Sequence, residues 1–335
     1  MKVTKIRVSI GSASVLGLYH GIKFRDPPTT CYLMTYKDGH CIANCSFCPQ
    51  ARESKASMEF LSRISWPTYS FKKFLKSLEN LTTSKKFKRI CIQSLNYPGN
   101  FQDLIEIITE IKKIINCPIS VAIPPMSEKQ LIKLKELGVN RVGIALDAAT
   151  PELFEKIKGI AAHCPYTWNS HFQTLKNALK VFSEGFVTTH LIIGLGETIE
   201  EVVSLIEQLN HLKIIVSLFA FTPIKGTKLE KREKPDILHF RKVQLARFLI
   251  IHQNFTTNDF VFDKTGDIIK FNLNEKELWE IIDKTDAFLT SGCPGCNRPY
   301  YTSKPSGPIY NYHRNLKEEE KQEIFSRLKN FVNNQ

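Results

Sequence analysis

Short runs of β-branched residues alternate with longer amphipathic segments through most of this chain, and that alternation limits its fold more than any other feature. The strand candidates are Cys31 to Tyr36, Arg89 to Leu95, Ile119 to Ile123, Arg141 to Leu146, Val187 to Ile193 and Ile214 to Phe221. Helix candidates follow them: Tyr69 to Asn80, Gln102 to Ile115, Ser127 to Leu137, Asn169 to Phe182, Glu197 to Leu212 and Ile237 to Gln253. Repetition of strand and helix predicts a mostly parallel sheet whose crossovers are helices. The class is α/β, and the six units predict a partial (β/α)6 barrel of the TIM type rather than a closed eight-fold one.

The flanks break the pattern. Residues 1–30 are expected to form a β hairpin extension, Val3 to Ile10 turning at Gly11 and returning through Val15 to Leu18, ahead of the linker Asp26-Pro27-Pro28. The barrel is expected over 31–253 and a C-terminal α+β extension over 254–335. In the extension Phe260 to Phe262, Ile268 to Leu273 and Ala287 to Thr290 read as strands, and Glu275 to Ile282 and Leu316 to Phe331 as helices. Gly292 to Arg314 is dense in Cys, Pro, Gly and Tyr, and a loop of that length inside a compact chain is usually functional.

Composition is that of an ordinary globular protein, 42% hydrophobic and 24% charged over 335 residues, which excludes collagen, coiled-coil and wholly disordered classes. Apolar stretches such as Ile214 to Phe221 are far shorter than the roughly 20 residues of a membrane helix. The start of the chain alternates apolar and charged residues without an apolar signal core. A soluble, cytoplasmic protein with no membrane association is expected. The net charge of +13 favours acidic partners, nucleic acid or protein, but its lysine runs, Lys72-Lys73, Lys85-Lys86-Phe87-Lys88-Arg89 and Lys231-Arg232, form no single stripe.

Nine cysteines, an odd count, argue for metal binding or plain burial rather than a disulfide framework. Two groups are tight: Cys41-Ile-Ala-Asn-Cys45-Ser-Phe-Cys48, in the loop after the first barrel strand, and Cys293-Pro-Gly-Cys296. Ligands collect at that end of a parallel α/β unit. Three thiolates on one loop leave one iron of a four-iron cubane open. Structural zinc, the competing reading, wants four closed ligands, and only His40 lies nearby.

The loop Cys41 to Gln50, with Phe47 before the third cysteine and Pro49-Gln50 after it, resembles the signature of the radical S-adenosylmethionine (SAM) enzymes, biotin synthase among them. Further motifs carry the likeness over about residues 30 to 230: Arg89-Ile-Cys91-Ile-Gln93-Ser94, Gly143-Ile-Ala-Leu-Asp147, Ile192-Ile-Gly194-Leu-Gly196-Glu197-Thr198 and Lys225-Gly226-Thr227-Lys-Leu229. The resemblance implies a [4Fe-4S] cluster on Cys41, Cys45 and Cys48 that binds SAM, and reductive cleavage of SAM to methionine and a 5′-deoxyadenosyl radical. It gives Phe47 a place beside the adenine and Asp147 a bond to a ribose hydroxyl. Gln93, Gly194, Gly196 and Glu197 complete the expected cofactor contacts, the glycines letting backbone approach the nucleoside. The plain alternatives are a core role for Phe47, a helix cap for Asp147 and a strand-to-helix turn starting at Thr198 for the Gly194 segment.

Biotin synthase-like enzymes also carry a second cluster deep in the barrel, with cysteines on the second, third and fifth strands; here only Cys91 persists, the others falling at Ser120 and Thr188. Cys31 opens the first strand, well down the barrel from Cys41 at ~3.3 Å per residue. A C-terminal segment closing the lower opening would bring Cys293 and Cys296 beside Cys31, with Cys91 as a fourth ligand, to hold an auxiliary iron-sulfur cluster; a zinc knuckle with Cys31 merely buried is the alternative. Cys117 and Cys164 are expected to be ordinary buried thiols. Finally, Ser291-Gly-Cys-Pro-Gly-Cys-Asn-Arg-Pro-Tyr-Tyr301 and Lys304 to Tyr312 resemble archaeal biotin synthase-like proteins that act in pairs as a lipoyl synthase. That likeness implies sulfur insertion into an octanoyl chain on a lysine of an acidic lipoyl carrier protein, with a partner radical SAM subunit and an electron donor such as ferredoxin or flavodoxin. Thiolation of another substrate, biotin-like or RNA, and a non-catalytic metal scaffold remain the alternatives.

Overall fold

The computed structural model describes residues 2–21, 25–81 and 87–333; Lys85 and Lys86 of the basic run lie outside them. The strands are β1 (Lys5–Val8), β2 (Thr30–Thr35), β3 (Phe60–Leu61), β4 (Ile64–Ser65), β5 (Thr68–Ser70), β6 (Arg89–Gln93), β7 (Ile119–Ala122), β8 (Arg141–Gly143), β9 (Val187–Ile193), β10 (Ile215–Ala220), β11 (Phe260–Phe262) and β12 (Ile268–Phe271). The α-helices are α1 (Ile10–Val15), α2 (Phe71–Leu81), α3 (Asn100–Ile114), α4 (Glu128–Glu136), α5 (Pro151–Ile157), α6 (Trp168–Phe182), α7 (Ile199–His211), α8 (Ile237–Gln253), α9 (Glu275–Lys284) and α10 (Glu318–Leu328).

One eight-stranded sheet runs β10-β9-β8-β7-β6-β2-β1-β5. From β2 to β10 its neighbours are parallel, so the expected six-strand parallel barrel is present. Its outer face packs on the crossover helices through residues such as Ile90, Ile92, Val121, Val142 and Leu191. Strand β9 shows the two-residue period: Val187, Thr189, Leu191 and Ile193 are buried, while Thr188, His190 and Ile192 turn inward to a central cavity. Helix starts are capped as their residues dictate, Ser127 and Gln130 forming a reciprocal box on α4 and Thr198 with Glu201 another on α7.

The expected hairpin at the N-terminus is replaced by a strand and a helix. β1 is inserted antiparallel between β2 and β5, so both its edges are paired without a local return strand. Residues 10–15 instead form α1, capped by Ser9, and the Ser12 hydroxyl reaches the β2 backbone at Tyr32 N (2.9 Å). The strand expected at Ala287 to Thr290 is reduced to a single bridge between Leu289 and Tyr312.

The sheet does not close on itself, β10 and β5 being its edges. Side chains cover the β10 edge: Leu218 donates its amide to Ser291 Oγ (3.0 Å), and Asn311 Nδ2 and Arg247 Nε donate to the carbonyls of Leu218 (3.0 Å) and Val216 (2.7 Å). The same C-terminal segment then crosses beneath the barrel. Asn297 accepts from Thr29 N (3.0 Å) and donates to Pro27 O (3.0 Å), and Arg63 donates to Tyr300 O (2.6 Å). Buried Arg241 of α8 anchors it through the carbonyls of Ile309 and Tyr310. Among the described residues no helix is long and apolar enough to cross a membrane.

Candidate active site

A cavity of about 260 Å³ occupies the barrel interior. Its upper rim, at the C-terminal ends of the strands, holds Phe47, Cys48, Pro49, Gln93, Asp147 and His190; its floor holds Cys91, Ser120, Cys293, Cys296, Arg298 and Tyr301. Strand residues such as Ala122, Ile192 and Phe219 line the wall between.

The loop carrying the upper cysteines is tied down at both ends. Cys41 donates its amide to Gln50 O and receives Asn96 N–H on its sulfur (3.3 Å). Gln50 is buried, accepting from Arg7 (2.8 Å) and donating to the carbonyls of Met58 and Phe60 (2.6 Å each). Burial pushes the Cys48 thiol up to about 12, against the pull of a backbone bond from Gln50, and raises Cys41, while the bond with Cys164, together with burial, raises Cys45. Such thiols ionise when a bound cation displaces the proton. Among the described residues no three His, Cys, Asp or Glu side chains draw in to the shell of a single ion, whereas a cubane takes its thiolates at separate corners. Three thiols on one loop, with amide donors on the sulfurs of Cys41 and Cys48, fit such a cluster.

Asp147 follows β8 with φ +67°, a left-handed conformation uncommon outside glycine. Its carboxylate meets Lys158 Nζ at 2.5 Å and His190 Nε2 at 2.9 Å. Burial alone would raise this carboxyl, but the Lys158 charge and the His190 contact hold it well below the usual range. Asp147 is not the cap of α5; Thr150 is, its hydroxyl accepting from Leu153 N (3.1 Å). Phe47 faces the cavity and packs against the apolar cluster that contains Phe221, and Gln93 Nε2 donates to Cys91 Sγ (3.2 Å).

The Gly194 segment stands apart from the cavity lining. Glu197 turns back to accept from the amides of Leu195 and Gly196 (2.9 Å each) and of Gly194. Both glycines have positive φ, and a Cβ on Gly194 would meet Pro235 at 2.8 Å. The close approach that Gly194 permits is therefore to Pro235.

On the floor the C-terminal segment brings Cys293 and Cys296 into the cavity with Cys91, as expected, but Cys31 is not with them. β2 pairs with β6 so that Cys31 lies opposite Ile90 and Tyr32 opposite Cys91. Cys31 thus shares the helix-packed face with Leu33 and Ile92, and Tyr32 takes the inward place. The ligand assignment of Cys31 is corrected by this register, because side chains alternate faces along a strand. Each floor thiol has a polar neighbour: Tyr32 OH lies 3.1 Å from Cys296 Sγ, Ser120 Oγ 3.5 Å from Cys293 Sγ, and Gln93 bonds Cys91. Arg89 donates to Ser120 Oγ (2.8 Å), and the Arg298 guanidinium lies 4.1 Å from the centre of the Phe219 ring. Cys164 is buried as expected, but it sits 3.9 Å from Cys45 Sγ and accepts from Asn44 N (2.8 Å).

Sequence reasoning missed Lys158, His190, Tyr32 and Arg298 as site residues. Inward alternation along β9 could have found His190, and the Cys293 motif already contained Arg298.

A family model described as the Radical SAM superfamily matches residues 39–209, just over half of the chain. The biotin synthase of Clostridium tetani is 28% identical over 230 residues, 65% of each chain. That of Crocosphaera subtropica is 28% identical over 239 residues, 67% of this chain and 58% of its own. The chain thus spans less than two thirds of the length of these relatives. Among solved structures, methylornithine synthase is similar in fold, with a TM-score of 0.51 at 17% identity over 71% of this chain and 66% of its own.

Proposed function

Since the chain belongs to the radical SAM superfamily, we propose that it is a sulfur-insertion enzyme of the lipoyl synthase type. Its substrate is an octanoyl chain carried on a lysine of an acidic lipoyl carrier protein, its partner a second radical SAM subunit, and its electron source a ferredoxin or flavodoxin. One observation carries this reading: the loop of Cys41, Cys45 and Cys48 reaches one end of an apolar cavity through Cys48, and Cys91, Cys293 and Cys296 line the other end. Similarity to biotin synthases supports sulfur insertion as the reaction class.

Cys41, Cys45 and Cys48 would hold the [4Fe-4S] cluster, and Cys91, Cys293 and Cys296 an auxiliary iron-sulfur cluster. When bound, the first cluster would supply the electron that cleaves SAM to methionine and a hydrogen-abstracting deoxyadenosyl radical, and the second would supply sulfur. The protein's part is placement. Tyr32 lies three residues below the end of β2, roughly 10 Å at the usual strand rise, so a substrate carbon between the two centres is in reach of both, the advantage of held reactants. Ala122, Ile192 and Phe219 offer an alkyl chain an apolar wall. Phe47 and Asp147 line the end where a nucleoside would sit, with Lys158 and His190 fixing the carboxylate. Biotin formation is disfavoured because Ser120 and Thr188 occupy inward positions where thiols would be needed.

The test is anaerobic incubation of the protein with SAM, a reductant and an octanoylated carrier, with and without candidate partner subunits, followed by mass spectrometry. Sulfur added to the octanoyl group is the expected result. Deoxyadenosine release with an unmodified carrier in every combination would transfer the chemistry to another substrate, and no deoxyadenosine at all would favour a scaffold.

A further inference from the structure

Resting on the reading that Cys91, Cys293 and Cys296 hold a second iron-sulfur centre, we infer that Tyr32 is the positioning residue that secures Cys296 in it. Tyr32 is only 3% exposed. Its oxygen accepts the Arg298 amide (3.0 Å) and lies 3.1 Å from Cys296 Sγ. The oxygen's acceptor role is served by the amide, and its one proton is left for the sulfur. A sulfur that accepts is the form a ligating thiolate takes.

Gln93 and Ser120 also touch a floor thiol, but neither bonds the backbone of the segment that carries it. Tyr32 does both, bonding Cys296 and the Arg298 amide two residues on. Its ring is wedged against Tyr301, centroids 5.1 Å apart, and Tyr301 in turn packs edge-on against Trp66 at 6.3 Å. The phenol is thereby fixed in direction, and hydrogen bonds to cluster sulfurs are among the factors that set potential and ligand retention. A phenylalanine would keep the ring contacts and remove both bonds.

The experiment uses full-length protein reconstituted anaerobically, wild type and Tyr32→Phe. Iron and sulfide are counted, each centre is followed by Mössbauer and electron paramagnetic resonance spectroscopy, and iron release to a chelator is timed. Wild type should hold two centres. Tyr32→Phe should keep the first centre's iron, which reports a folded barrel, while the second loses iron about 10- to 100-fold faster and is reduced at a more negative potential. Wild type with two centres and a variant matching it in release rate and potential would overturn the role of Tyr32 alone. A single centre in wild type would instead remove the auxiliary-cluster reading on which it rests.

Discussion

Asp147 and Lys158 form an ion pair shut away from water, Nζ to Oδ2 2.5 Å with side chains 6% and 7% exposed. The ammonium also bonds Ala145 O (2.6 Å) and faces the rings of Phe154 and Tyr166. Removing one partner strands the other. Lys158→Met should destabilise by about 3–5 kcal/mol in urea unfolding, whereas Asp147→Asn, tolerated at positive φ, should cost less. If the Asn variant binds SAM as wild type does, at unchanged iron content, Asp147 serves the fold only. A ribose bond predicts an affinity loss of about 1–3 kcal/mol.

Replacing Cys41, Cys45 and Cys48 together with Ala should abolish reductive cleavage of SAM, measured as deoxyadenosine, and remove one four-iron centre. Persistence of cleavage would contradict the loop assignment.

The floor thiols make a separate forecast. Cys293→Ala with Cys296→Ala should lose one centre's iron and sulfide yet still release deoxyadenosine without thiolated product. Cys31→Ala should leave both counts unchanged, since that thiol faces the helices; a drop in iron for Cys31→Ala would reinstate it as a ligand.

His171 supplies a pH dependence. Its ring is buried between Phe154 and Tyr166, with Nδ1 donating to Thr167 O (3.1 Å). Burial, aided by the Lys158 charge, pushes it down to about 3 from 6.5. Because the folded value is depressed, its stabilising contribution is full above 6.5 and is lost as pH falls toward 3. Roughly 5 kcal/mol should disappear over that window. His171→Phe should flatten the acid limb of an unfolding-stability profile, and an unaltered limb would sink the assignment.

Gly194→Ala tests the turn. With φ +103° and Pro235 at 2.8 Å from an added Cβ, the variant should lose about 1–3 kcal/mol. A Tm equal to wild type would mean that Pro235 gives way freely.

Elements bounded by clear signals were legible to the residue: β9 by its two-residue alternation, and α8 by its length between Asp236 and Asn254, which cap it. The N-terminal hairpin was not, because an alternating run specifies a strand and says nothing about its partner; β1 found partners on both sides from far along the chain. Cys31 failed for a related reason. Its height in the barrel follows from counting residues, but its facing depends on register, and one position exchanges Cys31 for Tyr32. The meeting of Cys293 and Cys296 with Cys91 was legible because thiols in two tight groups ask for more ligands than either supplies. Lys158 gave no signal, since a lysine near a helix end is ordinarily solvated. Glu197 was read as a cofactor contact, but its partners are its own neighbours' amides, which every sequence possesses.

The barrel has one wall of laddered strands and one wall of stitches. Along β10 the closure rests on Ser291, Asn311 and Arg247 rather than on another strand, so that side is held by single side-chain bonds where the rest is held by backbone ladders. The run of chain that bears Ser291 and Asn311 also bears Cys293 and Cys296. Covering the β10 edge and furnishing the cavity floor with thiols beside Cys91 are therefore the work of one segment.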